Sequence, residues 1–496
     1  MSEIKSIGVA YETVTVEYFE QRKLKRHARV WSLWALGVGA VISGHFSGWN
    51  LGLASGGWGG MLIAAILIAI MYLGLVFCIA EMSPALPHTG AAYSFARSAM
   101  GTWGGFITGL FENVEYVVTP AVVVFFIGSY LTTIFGTPPA FQPFYWVACY
   151  VIFVGLNIAG VELSFRVTLV VTIAALACLV VFWISAFPVS NFSRWALNIG
   201  PGGVELPNGG GPFLPMGIWG ALSAMPFAVW LFLAIEQLPL AAEESVDPKA
   251  DMSKGIISGM LTLIVSAFMI LWLNSSVPSG AFALGKSSEP LLDGFKAIYG
   301  EGTAKALACV AVIGLVASFH TIIFAKGRQI YSLSRAGYFP RNLSVTHDTF
   351  ATPHLAMICG SLLALVIMFG IWFALGAEEG TAAIGGMLLN MAVFGAMCSY
   401  IMQAVSFILL RQNFPDIPRP YKSPFGIAGA IATIVLALVT IAFQLVDPVY
   451  RQGVFGVGIW CAVGIAYFAA VGRNRLVLSP EEEFAMSKGT AEYRSF

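Results

Sequence analysis

The sequence predicts an all-α polytopic membrane protein with 12 transmembrane helices, and three observations predict it. Hydrophobic residues make up 58% of the 496-residue chain and charged residues only 10%, with a mean hydropathy of +0.80. A soluble domain carries about 25% charged residues. Apolar windows of ~20 residues, the length a helix needs to cross ~30 Å of hydrocarbon, recur along the whole chain. Of the 26 Lys and Arg, 21 fall on one side of these windows and 5 on the other. Together these observations exclude a soluble enzyme, a nucleic-acid-binding protein and a disordered chain.

Residues 1–28 are polar and charged, with no apolar stretch or small-residue cleavage site of a signal peptide, so the first span is expected to be the anchor. The windows then read 30–54, 58–82, 100–131, 144–160, 166–188, 216–242, 255–276, 303–333, 354–375, 381–411, 427–446 and 453–472. Residues 57–60 leave little room between the first two, so counts of eleven and thirteen stand beside twelve, and the charge split favours twelve. The expected organisation is a cytoplasmic N-terminal segment 1–28, a transmembrane repeat 29–188 and a second repeat 216–411. Two further helices over 427–472 and a cytoplasmic tail 473–496 follow. Short loops rich in Lys and Arg stay inside, which places both termini in the cytoplasm of a multi-pass inner-membrane protein. Lys488 and Arg494 of the tail are counted on that basic side. The seven cysteines all fall in apolar runs and read as small packing residues.

Two spans look interrupted. The first contains Gly37, Gly39, Gly44, Gly48 and Gly52, with Ser43, His45, Ser47 and Asn50 among them. The sixth is bracketed by Pro226 and Pro239, with Trp230 and Glu236 between. Backbone freed from helical bonding at membrane depth survives only where it lines a cavity or is buried in protein. Interrupted spans at matching positions of two five-helix halves point to an inverted-repeat carrier with a central site. Glycine also serves ordinary close packing in membrane helices; the polar residues at both breaks favour the carrier.

Ionisable groups inside a membrane are costly and mark candidate sites. Glu115 lies well inside span three with Glu112 one turn away, Glu236 lies in the broken sixth span, and His45 lies in the break of the first. His320 follows Ser318 in span eight. No Lys or Arg stands at mid-depth, so a substrate ammonium over an aromatic face such as Trp230 or Tyr116 is an apt partner for these carboxyl groups. His45, Glu115 and Glu236 are the candidates for carrying a coupling proton. A structural helix-capping role weighs equally for Glu236, and a satisfied core position nearly equally for His320. Glu243, Glu244, Asp247 and Lys249 are expected to be a solvated helix end with gating contacts. Enzyme motifs, nucleotide-binding loops and metal-ligand spacings are absent, so no enzyme activity, cofactor or metal is expected.

Pro87-His88-Thr89-Gly90-Ala91-Ala92-Tyr93 resembles the P-x-x-G-G-x-Y segment of amino acid–polyamine–organocation permeases. Glu243-Glu244-Ser245-Val246-Asp247-Pro248 resembles their acidic stretch after span six. The bacterial ethanolamine permease branch is resembled more closely, through several segments in order. These are Val41-Ile42-Ser43-Gly44 with Gly48-Trp49-Asn50, Leu233-Ala234-Ile235-Glu236, Ala317-Ser318-Phe319-His320, and Gly327-Arg328-Gln329-Ile330 with Leu333-Ser334-Arg335-Ala336-Gly337. Arg419-Pro420-Tyr421-Lys422-Ser423-Pro424 and Ser479-Pro480-Glu481-Glu482-Glu483-Phe484 complete them.

The resemblance implies a LeuT-like fold, with spans 1–5 and 6–10 as inverted repeats and two peripheral spans. It implies a substrate site at the two breaks, walled by spans three, eight and ten and formed by Ser43, Gly44, His45, Phe46, Glu115, Tyr116, Trp230, Leu233, Ala234, Glu236, Ser318 and His320. Trp230 would be an aromatic gate or platform, and Ala234 stands where many relatives have a glycine. Amino acid permeases present Gly-x-Gly in span one to hold a carboxylate, where this chain has Ser43-Gly44-His45. Some proton-coupled members carry a lysine in span five, where this chain reads Val171-Thr172-Ile173-Ala174-Ala175-Leu176. The expected activity is import of a small organic amine, ethanolamine first. An amino acid carried by proton coupling or exchange on the same fold is the alternative.

Overall fold

The computed structural model describes residues 4–6, 8–12, 14–446 and 448–487; Lys488, Arg494 and the end of the expected 473–496 tail lie outside the described residues. Among the described residues ten helices are long and apolar enough to cross a membrane: Leu51–Ala85, Ala91–Phe135, Pro139–Ile158, Val161–Val189, Pro248–Ser275, Ala306–Arg335, His354–Leu375, Ile384–Asn413, Gly426–Gln444 and Arg451–Asn474. They take the places of expected spans two to five and seven to twelve. The expected first and sixth spans are shorter broken pieces, an arrangement consistent with twelve crossings.

Three long helices bend sharply at glycines with left-handed backbone, which is cheap only without a β-carbon. Gly57 (φ 66) divides the end of span one from span two within Leu51–Ala85. Gly101 (φ 78) divides Ala91–Phe135, so that the part before it, with Arg97, runs along the basic face and span three rises after it. Gly300 (φ 74) likewise separates span eight from a helix on the opposite face. Two of the kinks fall beside expected span starts, 100 and 303, because apolar windows end where the chain turns along the surface. Span seven starts earlier than expected, at Pro248, because Asp247 caps it by accepting from the Ala250 N–H at 3.1 Å.

Helices touch through small and hydroxyl residues, the usual means of close packing in a membrane. Thr433 donates to the Met71 carbonyl at 3.0 Å, Ser253 to Ala80 at 2.7 Å and Thr172 to Ala35 at 3.2 Å. Cys309 and Cys359 face outward instead of packing inside.

Both ends of the chain meet on the basic face. Strand β1 (Ile4–Ser6) pairs antiparallel with β2 (Val9–Glu12), and β2 pairs parallel with β3 (Leu476–Val477), Tyr11 opposite Leu476. A final helix, Pro480–Met486, packs against Ala91–Phe135.

Candidate functional site

The first span is α-helical over Val30–Val41, tightens to a 3-10 turn over Ile42–His45, and resumes as helix at Leu51. The sixth runs through Gly217–Ser223 and Met225–Val229, unwinds over residues 230–234, and continues as the 3-10 segment Ile235–Glu244. Ala234 has φ 81, a left-handed conformation that costs a residue with a β-carbon about 1–2 kcal/mol. This is the position where the resemblance expects glycine.

The two breaks are packed against each other. A β-carbon at Gly44 would stand 2.1 Å from the Trp230 carbonyl oxygen, and one at Gly48 would stand 2.7 Å from the Trp230 indole. Glycine is therefore demanded at both positions by approach alone. The Trp230 indole N–H donates to the Ser47 carbonyl at 3.0 Å. His45 Nε2 lies 3.1 Å from the Leu231 carbonyl and Nδ1 lies 3.1 Å from the Ser266 hydroxyl. A neutral imidazole satisfies both contacts, donating at Nε2 and accepting at Nδ1. Span eight closes the third side: the Ser43 N–H donates to Ser318 Oγ at 2.9 Å, which donates to the Gly39 carbonyl at 2.7 Å. The Phe46 ring fills the space beside Gly314, and the Phe46 carbonyl accepts from Tyr130 at 3.0 Å.

A second group lies at the edge of the span-six break. Glu236, two residues past Ala234, and Glu115 of span three face one another within hydrogen-bonding reach. The Tyr116 hydroxyl donates to Glu236 at 3.3 Å, and the Tyr400 hydroxyl donates to Glu115 at 3.2 Å while lying 3.2 Å from the Tyr72 hydroxyl. Both carboxyl groups are buried, and their second oxygens receive no hydrogen bond from any described donor; the same is true of one oxygen of Glu112. Among the described residues no Lys, Arg or His is hydrogen-bonded or ion-paired to Glu115 or Glu236. Two charged carboxylates this close in a dry site repel, so the pair is suited to hold a cation or a shared proton.

The structure thus divides the twelve expected site residues. Ser43, Gly44, His45, Phe46, Trp230 and Ser318 join at the breaks, with Leu233 and Ala234 in the unwound turn. Glu115, Tyr116 and Glu236 form the carboxyl group beside it. His320 stands apart, bonded to Asn157 Nδ2 at 3.0 Å and to Ser164 Oγ at 3.2 Å between spans four and five. Sequence reasoning passed over Tyr72 and Tyr400, whose signal was a phenol placed mid-window in an apolar run, where its hydroxyl must find an acceptor.

Below the breaks, on the basic face, Glu243 and Glu244 are not a solvated helix end. Glu244 and Arg328 form a fully buried pair at 2.7 Å. Arg335 binds Glu243 at 2.7 Å and Glu481 of the final helix at 3.0 Å, and the Thr89 N–H also donates to Glu243 at 3.1 Å. Glu482 receives Arg97 at 2.6 Å, Tyr11 at 2.7 Å and Tyr338 at 2.8 Å, and Tyr93 donates to Glu481 at 2.9 Å. An apolar-window reading misses this because the cations arrive from span eight and from the half-helix before Gly101. On the opposite face Asn50 donates to the Leu284 and Ser287 carbonyls at 2.5 and 2.8 Å. Glu289 accepts from Ser129 at 2.6 Å and from Thr133 at 2.9 Å. Burial pushes the Glu289 carboxyl up, with the two hydroxyls offsetting part of the effect. The breaks are therefore closed off on both sides.

Ten long apolar helices, two broken spans packed break to break and polar closures above and below define a multi-pass membrane carrier of the LeuT type. Residues 29–469 match the family described as amino acid permease, and the chain belongs to that family. It is 25% identical over 430 residues to the branched-chain amino acid permease of Bacillus subtilis, covering 82% of this chain and 85% of that protein. It is 24% identical over 478 residues to the methylthioribose transporter of the same organism, covering 93% and 96%. Its fold is similar to that of a manganese transporter of Eremococcus coleocola, with a TM-score of 0.52, 14% identity and coverage of 94% and 97%.

Proposed function

We propose that this permease imports a small organic amine, ethanolamine first, across the cytoplasmic membrane by alternating access of a 5+5 inverted repeat, with both termini in the cytoplasm. The observation that carries this reading is the Glu115–Glu236 pair: two buried carboxyl groups at the edge of the span-six break, each with one unpaired oxygen and with no basic partner among the described residues. An ammonium supplies three donors and a charge, and the phenols of Tyr72, Tyr116 and Tyr400 surround it with acceptors and ring faces. The substrate hydroxyl would bond at the breaks, near Ser43 and the unwound backbone of residues 230–234. Phe46 and Trp230 would close over it. A cation gains about 2.3 kcal/mol per 100 mV on entering a negative cell, so the potential alone drives uptake. A proton shared by Glu115 and Glu236, or taken by His45, is the route for symport.

A second reading, an amino acid carried on the same fold by proton coupling or exchange, is favoured by the family itself and by the branched-chain relative. Against it, the Ser43 N–H in the first break is already bound to Ser318 and is not free for a carboxylate. Thermal stabilisation of the purified protein by ethanolamine, choline, a short diamine, alanine, leucine, arginine and glutamate separates the two. A ligand bound only by the folded state raises stability with its concentration. Stabilisation by ethanolamine without alanine or leucine supports the amine reading; stabilisation by an amino acid alone overturns it.

A further inference from the structure

On the basic face, away from the breaks, a cavity of about 400 Å³ opens between the N-terminal segment, the start of span five and the connection between spans eight and nine. Its wall carries Lys25, Arg26, His27 and Arg166, and of its lining residues only Glu162 is acidic. Glu162 is taken by Arg166 one helical turn along, and Lys25 donates to the Thr349 carbonyl at 3.1 Å. Arg26 is exposed and, among the described residues, bonded to none. The floor is the N-terminus of span five, a helix of 26 residues that begins at Val161 with no side-chain cap, so its first N–H groups and dipole add to the positive field.

The cavity opens beside the first turn of span five, a membrane-crossing helix. Leu163 and Phe350 are exposed at its edge, and Val170 and Ile173 further along span five face outward into the apolar layer. A concentration of positive charge at the point where helices enter hydrocarbon fits a phosphate with an apolar tail. The basic wall is also continuous with the buried Glu244–Arg328 layer: the His27 and Ala28 N–H groups donate to the Glu244 carbonyl at 2.8 and 2.9 Å, at the end of span six.

We propose that this cavity binds a phosphate-bearing anion, either the headgroup of an anionic phospholipid or free phosphate, and that its occupancy holds the N-terminal segment against the end of span six. The test is thermal stability of the full chain in detergent, titrated with short-chain phosphatidylglycerol, with phosphatidylcholine of equal chain length, and with inorganic phosphate. Wild type is compared with the double variant Lys25→Gln/Arg26→Gln, and with Lys249→Gln/Lys254→Gln, which removes two exposed lysines outside the cavity. The expected result is stabilisation by phosphatidylglycerol but not phosphatidylcholine, with the midpoint raised about 30-fold in the cavity variant and unchanged in the control. The same cavity-dependent response to inorganic phosphate alone supports the site and names free phosphate as its ligand. Equal responses in wild type and cavity variant, equal responses to the two lipids, or no response to any ligand overturns the proposal. Arg26→Gln alone serves if the double variant melts early without ligand.

Discussion

The indole N–H of Trp230 donates to the main-chain carbonyl of Ser47 at 3.0 Å, and the indole ring occupies the space that a side chain at Gly48 would need. The two interrupted spans are thereby fastened at their weakest points. Each has given up helical hydrogen bonds, and each recovers partners from the other: Ser47 from Trp230, and Leu231 from His45. In the proposed alternating-access cycle, movement that exposes the breaks to one side of the membrane would have to break or carry this junction.

Trp230→Phe keeps an aromatic ring and removes the donor, leaving the Ser47 carbonyl unpaired at a cost of about 1–3 kcal/mol. The expected outcome is a modest fall in melting temperature with a larger change in substrate flux in proteoliposomes. Wild-type flux from a variant of lowered stability would separate Trp230 from gating.

Gly48→Ala places a β-carbon 2.7 Å from the indole at a backbone φ of 97. Backbone strain of this kind costs about 1–3 kcal/mol, before the clash is counted. A lower melting temperature and lost uptake are expected, whereas Gly370→Ala, where nothing stands within 4 Å, should leave both unchanged.

Glu115→Gln removes one charge of the carboxyl pair while keeping its shape and its bond to Tyr400. Uptake of a cationic substrate is expected to fall at least about tenfold, one charge-assisted hydrogen bond being worth about 1.5–3 kcal/mol, without loss of folding yield. Glu236→Gln should act in the same direction. Undiminished uptake of ethanolamine by Glu115→Gln would take that carboxyl out of the site.

The final helix acts as a cap on the basic face. Glu481→Ala leaves Arg335 with Glu243 as its one carboxylate partner among the described residues, and Glu482→Ala leaves Arg97 buried without its carboxylate. Breaking a buried pair from one side costs about 3–5 kcal/mol. Both variants should melt earlier, and a cysteine placed at Ser245 should react faster with a membrane-impermeant thiol reagent from the basic side. Unchanged reactivity would show that the tail stabilises without gating.

Glu289 gives a pH signature on the opposite face. Its carboxyl is held above the usual carboxylate value, so the folded chain binds more proton there than the unfolded chain does. Stability from this group is full below the ordinary carboxyl range and declines as pH rises through the window up to the raised value. Glu289→Gln should flatten the melting-temperature profile from the ordinary carboxyl range upward.

Part of this molecule was readable one residue at a time. The apolar windows located the crossings, because hydrocarbon thickness imposes a length that no other constraint mimics. The glycines and polar residues of spans one and six marked the breaks, because a helix interrupted at membrane depth must be sheltered. Glu115 and Glu236 stood out individually on the cost of burying a carboxyl group. Their meeting was not readable, since span three and span six approach only in the assembled bundle. His320 carried a functional and a core reading of nearly equal weight in sequence, and the structure places it against Asn157 and Ser164, apart from the breaks.

The clearest case is the basic face. The segments around 87–93, 243–248, 327–337 and 479–484 were each legible as family patterns, far apart and without a shared purpose. In three dimensions Thr89, Tyr93, Glu243, Glu244, Arg328, Arg335, Glu481 and Glu482 form one buried layer of ion pairs and hydrogen bonds. Sequence by itself determined that this chain crosses a membrane repeatedly and where its helices fail, because water, lipid and backbone hydrogen bonding act on each segment alone. Only the tertiary structure decided which charges meet, because an ion pair depends on distance in space, and that is set by how the helices pack.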